Sequence, residues 1–169
     1  MKKELELKLV EKYPIIFSQY GGDMRQTCMH WGMTCGDGWY NLINDLCKNI
    51  TTVIGNKNIK IIAAQVKEKF GGLRFYYDVK SPNSPFMNRV GYIFITAMFK
   101  VKLGKLYWNL VAYRKKIYRT TLEKIEDIIS DAEHKSYEIC ELCGEPGKTR
   151  GKGWVTTQCN KCWKETLNK

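Results

Sequence analysis

The chain has 169 residues, of which 44 % are hydrophobic and 27 % charged, with a formal net charge of +11. That apolar share supports a packed core and excludes a wholly disordered chain, and the length suits one ordinary domain or one domain with a small appended lobe. The opening MKKELELKLV is interrupted by Glu4 and Glu6, so no secretory leader is read there. A reducing, cytoplasmic compartment is then the expectation, in which seven cysteines serve as thiols and metal ligands more than as disulfides.

In chain order, residues 3–13 place Leu5, Leu9 and Lys12 on one helical stripe with Leu7 and Val10 beside it, and Pro14 ends the run. Gly21 to Gly38 reads as a glycine-rich, aromatic loop. Asp37 is expected to cap a helix near 39–50, in which Leu42, Ile43, Leu46 and Ile50 recur at helical spacing. Residues 59–70 read as a strand, Gly71-Gly72 as a two-residue turn able to take positive φ, and Leu73 to Tyr77 as the returning strand. Val66, Phe70, Leu73 and Tyr77 are the expected buried side of this hairpin. Lys67, Lys69, Arg74 and Tyr76 are the expected exposed side.

Ser81-Pro82-Asn83-Ser84-Pro85 marks a linker or turn cluster. The charge is segregated around it. Residues 79–122 carry Lys80, Arg89, Lys100, Lys102, Lys105, Arg114, Lys115, Lys116 and Arg119 and no acidic side chain, whereas 123–139 swing to −4. Such a block attracts a polyanion (nucleic acid, a nucleoprotein or an acidic protein face) or forms a solvated basic surface. The apolar stretch VGYIFITAMF at 90–99 is too short to cross a bilayer. Its mixture of basic and aromatic neighbours fits a membrane-surface segment, or more simply a packed helix with snorkelling lysines. Leu122, Ile125, Ile128, Ile129 and Ala132 then mark an amphipathic helix that ends just before the cysteines.

Cys140-x2-Cys143, fifteen residues, then Cys159-x2-Cys162 has the spacing of a two-knuckle zinc site. Two thiolates separated by two residues reach one ion from a tight turn, and two such pairs complete a tetrahedron. Four thiolates leave no open position, so the expected single Zn2+ is structural; iron is the main competitor, and a redox dithiol explains fewer of the four cysteines. Gly144 suits a knuckle turn, Gly147, Gly151 and Gly153 a hairpin, and Val155-Thr156-Thr157 its returning strand. WKETLNK can start a short helix, which favours a treble-clef-like finger, with Trp154 and Trp163 expected beside the ion. A 30-residue tail has little apolar area of its own, so metal binding supplies its folding energy.

Cys28, His30, Cys35 and Cys47 are either a second metal site of unusual spacing or small buried thiols. Asp37, Glu68 and His30 are the acid–base candidates, but none has a partner at a recognisable catalytic spacing. No phosphate loop, nucleophile elbow or metalloprotease helix is present. With only His30 and His134, the histidine-based centre of an HNH-type nuclease is hard to assemble. No catalytic residue is therefore assigned.

Three stretches carry a resemblance: WGMTCGDGWYNLI (31–43), QVKEKFGGLRFYY (65–77) and CELCGEPGKTRGKGWVTTQCNKCW (140–163). Together they resemble a group of short zinc-finger proteins encoded by bacteriophages and prophages, over roughly the first 78 residues and the last 40. The basic block looks like a variable insert within that pattern. Some members of this class of accessory phage genes are anti-CRISPR or other counter-defence proteins, so an inhibitor acting in the bacterial host cytoplasm is one role within the range the resemblance implies. The finger is also distantly similar to that of small regulators that enter RNA polymerase, although this chain has no long coiled coil with an acidic tip.

The resulting expectation is an α+β fold: a central β-hairpin or small antiparallel sheet flanked by helices, with a C-terminal treble-clef-like zinc finger. Its parts are an N-terminal core (1–80), a basic, aromatic-rich insert (81–121), a helix leading to the finger (122–139) and the finger (140–169). The expected function is non-catalytic binding of a nucleic acid or a nucleic-acid-handling machine, with a CRISPR–Cas effector as one candidate. Lys67, Lys69, Arg74, Lys100, Lys102, Lys105, Arg114, Lys115, Lys116 and Arg119 would supply the attraction. Tyr92, Tyr107, Trp108, Tyr113 and Tyr118 would stack on bases or anchor an interface. A metal-dependent nuclease and a peripheral membrane protein using 90–113 are the alternatives.

Overall fold

The computed structural model describes residues 1–81, 104–151 and 153–168. Among them, four helices and five strands form a mixed α+β fold: α1 (Lys3–Lys12), β1 (Met33–Thr34), α2 (Tyr40–Ile54), β2 (Lys60–Lys69), β3 (Gly72–Lys80), α3 (Gly104–Lys135), β4 (Lys148–Arg150), β5 (Thr156–Gln158) and α4 (Asn160–Leu167). The larger sheet has the order β1-β2-β3, and β4-β5 form a second, two-stranded sheet.

In α1 the buried positions are Glu6 and Leu9, whereas Leu7 is half exposed. Glu6 is the surprise, because a carboxylate is costly inside unless it is hydrogen-bonded. Here it is bonded twice: Oε1 accepts from the Met33 amide at 2.8 Å and Oε2 from the Tyr20 hydroxyl. A charged residue thus ties α1 to the start of β1 while Leu9 enters the core.

Helix α2 buries Leu42, Ile43, Leu46, Cys47 and Ile50, a stripe at helical spacing. Asp37, however, does not cap it. Asp37 lies in the 3-10 turn Asp37–Trp39, and no side chain caps α2. Its carboxylate instead accepts from the Lys2 amide at 2.6 Å and lies 3.4 Å from Lys2 Nζ, at the start of α1. There it meets a helix N-terminus other than the one next to it in sequence, with the same electrostatic logic.

The β2–β3 hairpin forms, but its turn is one residue earlier than glycine spacing suggests. Lys69 pairs with Gly72, so the two turn residues are Phe70 and Gly71, with φ of 55° and 78°. Gly72 belongs to the ladder and lies against the Tyr137 ring. Val66, Leu73 and Phe75 are buried and Tyr77 is partly buried, whereas Phe70 is 67 % exposed. The expected inward position of Phe70 is therefore corrected: as a turn residue it follows neither strand's alternation. A register shift between Ala63 and Gln65 lets Ala63 and Val66 face the same core.

β3 pairs with β2 on one side only, and near its start two outward amides are met by side chains. The Leu73 amide donates to Ser136 Oγ at 2.8 Å and the Phe75 amide to Glu133 Oε1 at 3.0 Å. Both acceptors lie at the C-terminal end of α3 or just beyond it, so the helix end satisfies donors that an open edge would leave free. α3 runs unbroken from 104 to 135, on both sides of residue 121. Ile125, Ile129 and Ala132 are buried in the core, with Leu122 and Ile128 partly buried around them. No helix among the described residues is long and apolar enough to cross a membrane.

Candidate metal centre

The four predicted cysteines meet. Cys140, Cys143, Cys159 and Cys162 bring their Sγ atoms within 4.8 Å of one another and can hold a metal ion. Among the described residues no other histidine, cysteine and carboxylate group of three or more does so. The Sγ atoms of Cys143 and Cys159 are 3.7 Å apart. A tetrahedron with metal–sulfur bonds of about 2.3 Å has an edge of about 3.8 Å, so this pair sits at the spacing such an ion requires.

Local backbone geometry aims each pair. In the first, the Gly144 amide donates to Cys140 O at 2.9 Å and the Cys140 amide to Glu145 O at 2.7 Å, closing a knuckle with Gly144 at φ 82°. In the second, Cys159 is the N-cap of α4, and its sulfur accepts from the Cys162 amide at 3.4 Å. That N–H is the main reason its thiol is pushed down to about 7, which favours the thiolate a metal needs. The Cys162 thiol is pushed up, chiefly by burial, so a metal must displace its proton.

The site is seated on the N-terminal core. The Gly38 amide donates to Glu141 O at 2.7 Å, the Gly36 amide to Glu141 Oε1 at 2.9 Å, and the buried Trp39 indole to Ile139 O at 2.9 Å. A Cβ on Gly38 would overlap Cys140 O and sit 2.8 Å from the Cys143 amide nitrogen. CGDGW is therefore the seat of the knuckle, and glycine at 38 is needed because backbone touches backbone. On the other side, Thr157 Oγ1 donates to Gly71 O at 2.6 Å, joining the finger to the β2–β3 turn. Of the two tryptophans expected beside the ion, Trp163 is partly buried, with the Arg150 guanidinium 5.8 Å from its ring. Trp154 is 82 % exposed in the β4–β5 turn.

The remaining candidates are dispersed. Cys47 and Cys35 are buried and Cys28 is exposed, and burial pushes the Cys35 thiol up to about 12 and the Cys47 thiol up as well. His30 Nδ1 lies 2.6 Å from Gly22 O, and Glu68 Oε1 accepts from the Gly71 amide at 2.6 Å.

Among the basic residues, Arg74 is engaged with the Tyr137 hydroxyl at 2.9 Å and Glu133 at 3.9 Å, and Arg119 with Glu123 at 2.9 Å. Arg114, Lys115 and Lys116 are exposed on α3. Lys67 and Lys69 hold their ammonium groups 5.4 Å and 5.3 Å from the Tyr76 and Phe70 rings. Tyr113 is exposed and Tyr118 partly buried on α3. Lys100, Lys102 and Tyr92 lie outside the described residues, as do the side chains of Lys105, Tyr107 and Trp108.

The seat made by Gly36, Gly38 and Trp39 is the functional feature that sequence reasoning missed. Two glycines flanking one residue just before an aromatic were the available signal of close backbone approach. No protein family, curated protein or solved structure matches this chain.

Proposed function

We propose that this is a non-catalytic zinc-finger protein that binds a nucleic acid or a nucleic-acid-handling assembly. Zinc is the ion because four thiolates in a closed tetrahedron suit it and leave no position for substrate. The order knuckle, hairpin, helix with the second pair at the helix start supports reading the finger as treble-clef-like. In this reading the ion holds the finger against the core and takes no part in chemistry.

One observation carries the binding assignment. A cleft of about 440 Å³ between α2 and α3 has an apolar floor that includes Val53, Ile117 and Tyr113, is flanked by Lys57, Lys116 and Lys124, and is lined by no described carboxylate; Lys57 Nζ also donates to Val53 O at 2.5 Å. Arg114 and Lys115 are exposed elsewhere on α3, outside the cleft lining. Positive charge in a cleft attracts phosphate or an acidic groove more strongly than scattered surface charge does. The resemblance to phage and prophage proteins directs the search for a partner to the host's nucleic-acid-handling and defence machinery, CRISPR–Cas effectors among them.

The test uses two variants, Lys57→Gln/Lys116→Gln/Lys124→Gln in the cleft and Arg114→Gln/Lys115→Gln/Lys116→Gln/Arg119→Gln along α3. Affinity for DNA or RNA, or for a nucleoprotein captured from host cells, should fall by about tenfold or more and lose part of its salt dependence. Full affinity for every partner would remove the support for this function.

A further inference from the structure

Two aromatic side chains stand largely exposed in turns, where burial contributes little to holding them. Phe70 is the first residue of a two-residue turn with φ 55°, a conformation that favours Asn, Asp or Gly and is costly for a side chain of this size. Burial does not offset that cost, since the ring is 67 % exposed. Trp154, 82 % exposed, directly follows Gly153, whose φ is 93°, in a turn where Gly151 also has a positive φ of 104°.

The two turns are fixed to one another. Thr157 Oγ1 donates to Gly71 O at 2.6 Å, and the Val155 side chain packs over Gly71. Phe70 and Trp154 consequently line one groove of about 180 Å³, with Lys69 and Val155 beside them. Its single carboxylate, Glu68, accepts from the Gly71 amide at 2.6 Å. Lys69 Nζ stands 5.3 Å from the Phe70 ring, and on the adjoining strands Lys67 Nζ stands 5.4 Å from the Tyr76 ring. Cations and exposed rings thus alternate along this edge.

We infer that Phe70 and Trp154 form a stacking clamp for an unpaired base of single-stranded nucleic acid, with Lys69 and Lys67 beside the flanking phosphates. The inference rests on the nucleic-acid reading above and narrows it to one strand state and one pair of residues. Flat rings interleaved with ammonium groups match a polymer that alternates flat faces and negative charge. A neutral sugar would make no use of the lysines, and a paired base presents no free face to stack on.

The test uses the zinc-loaded full chain with a labelled oligothymidylate, a matching single-stranded RNA and a duplex of equal length. Wild type should bind the single strands more tightly than the duplex and show quenching of tryptophan fluorescence. Phe70→Asn and Trp154→Ala should each weaken single-strand binding by about tenfold, the scale of one lost stack, and leave duplex binding unchanged. Trp154→Ala should also remove most of the quenching. Asn is at home at positive φ, so Phe70→Asn should melt at or above the wild-type temperature, and a weaker complex then cannot reflect misfolding. Single-strand affinity unchanged in both variants overturns the clamp alone, as does equal weakening on duplex. Absence of binding to any of the three nucleic acids overturns the clamp together with direct nucleic-acid binding, and capture of an acidic protein instead leaves only the broader reading standing.

Discussion

The Gly38 amide donates to the carbonyl of Glu141 at 2.7 Å, joining the loop before α2 to the metal knuckle near the other end of the chain. The contact is possible because residue 38 has no Cβ; one would overlap Cys140 O. Gly38→Ala should therefore lift the knuckle from its seat and cost about 1–3 kcal/mol, the usual range for overpacking. Thermal melting of Gly38→Ala and of the seat variant Trp39→Phe, which leaves Ile139 O without its indole donor, should both drop. A wild-type melting curve for both would show that the finger and core are not coupled here.

Purified protein should carry about one zinc per chain, because four thiolates fill one tetrahedron. Cys143→Ser should release the ion. Because Gly38, Trp39 and Gly71 all bond to the finger, metal loss should also loosen the core. Hydrogen exchange after chelation should show faster exchange at Gly38 as well as within 140–168. Full zinc content in the Cys143→Ser/Cys162→Ser double variant would sink the assignment of these ligands.

The hairpin turn separates two kinds of glycine cost. Gly71→Ala should destabilise through its φ of 78°, by about 1 kcal/mol, with tight contacts to Thr157 Oγ1 at 3.2 Å and Val155 Cγ1 at 3.3 Å adding to it but none to Tyr137. Gly72→Ala should destabilise through contact, since a Cβ there would lie 2.6 Å from the Tyr137 hydroxyl oxygen. Combining each with Tyr137→Ala distinguishes them: the second cost should shrink in the double variant and the first should not. Additive costs at both sites would contradict this division.

Glu6→Ala should cost about 2–3 kcal/mol, because it strips the buried Met33 amide and the Tyr20 hydroxyl of their acceptor. Glu6→Gln keeps an acceptor oxygen and should cost less. Urea midpoints that rank the two variants the other way would show that Glu6 is not the clasp between α1 and β1.

Alkaline pH should weaken the fold. Burial pushes Cys35 up to about 12, and raises Cys47, Tyr77 and Tyr20 too, the last also through its bond to Glu6. Each is an acid that keeps its proton in the folded state after the unfolded chain has lost it. Their contribution is full below the ordinary thiol range near pH ~8.5 and declines as pH rises toward about 12. Cys35→Ala/Cys47→Ala should lower stability at neutral pH by leaving cavities but should flatten its fall between pH about 8.5 and 10. An unchanged slope would place the alkaline sensitivity elsewhere.

The features legible in the sequence are those set by neighbours along the chain. The Cys-x2-Cys pairs, the stripe Leu42, Ile43, Leu46 and Ile50, the stripe around Ile125 and Ile129, and the existence of the 60–80 hairpin all follow from ligand reach or local periodicity. Such patterns need no knowledge of what they pack against. Their details already escape: Gly71-Gly72 looked like the turn, yet the pairing of Lys69 with Gly72 placed it at Phe70-Gly71. Only the tertiary structure decided that Glu6 is inside, that Asp37 serves α1 instead of α2, that CGDGW seats the knuckle, and that Phe70 and Trp154 border one groove. Each depends on a contact between segments far apart in the chain. A residue's own type fixes what it can bond to, but which donor, ring or backbone reaches it is set by how the elements pack.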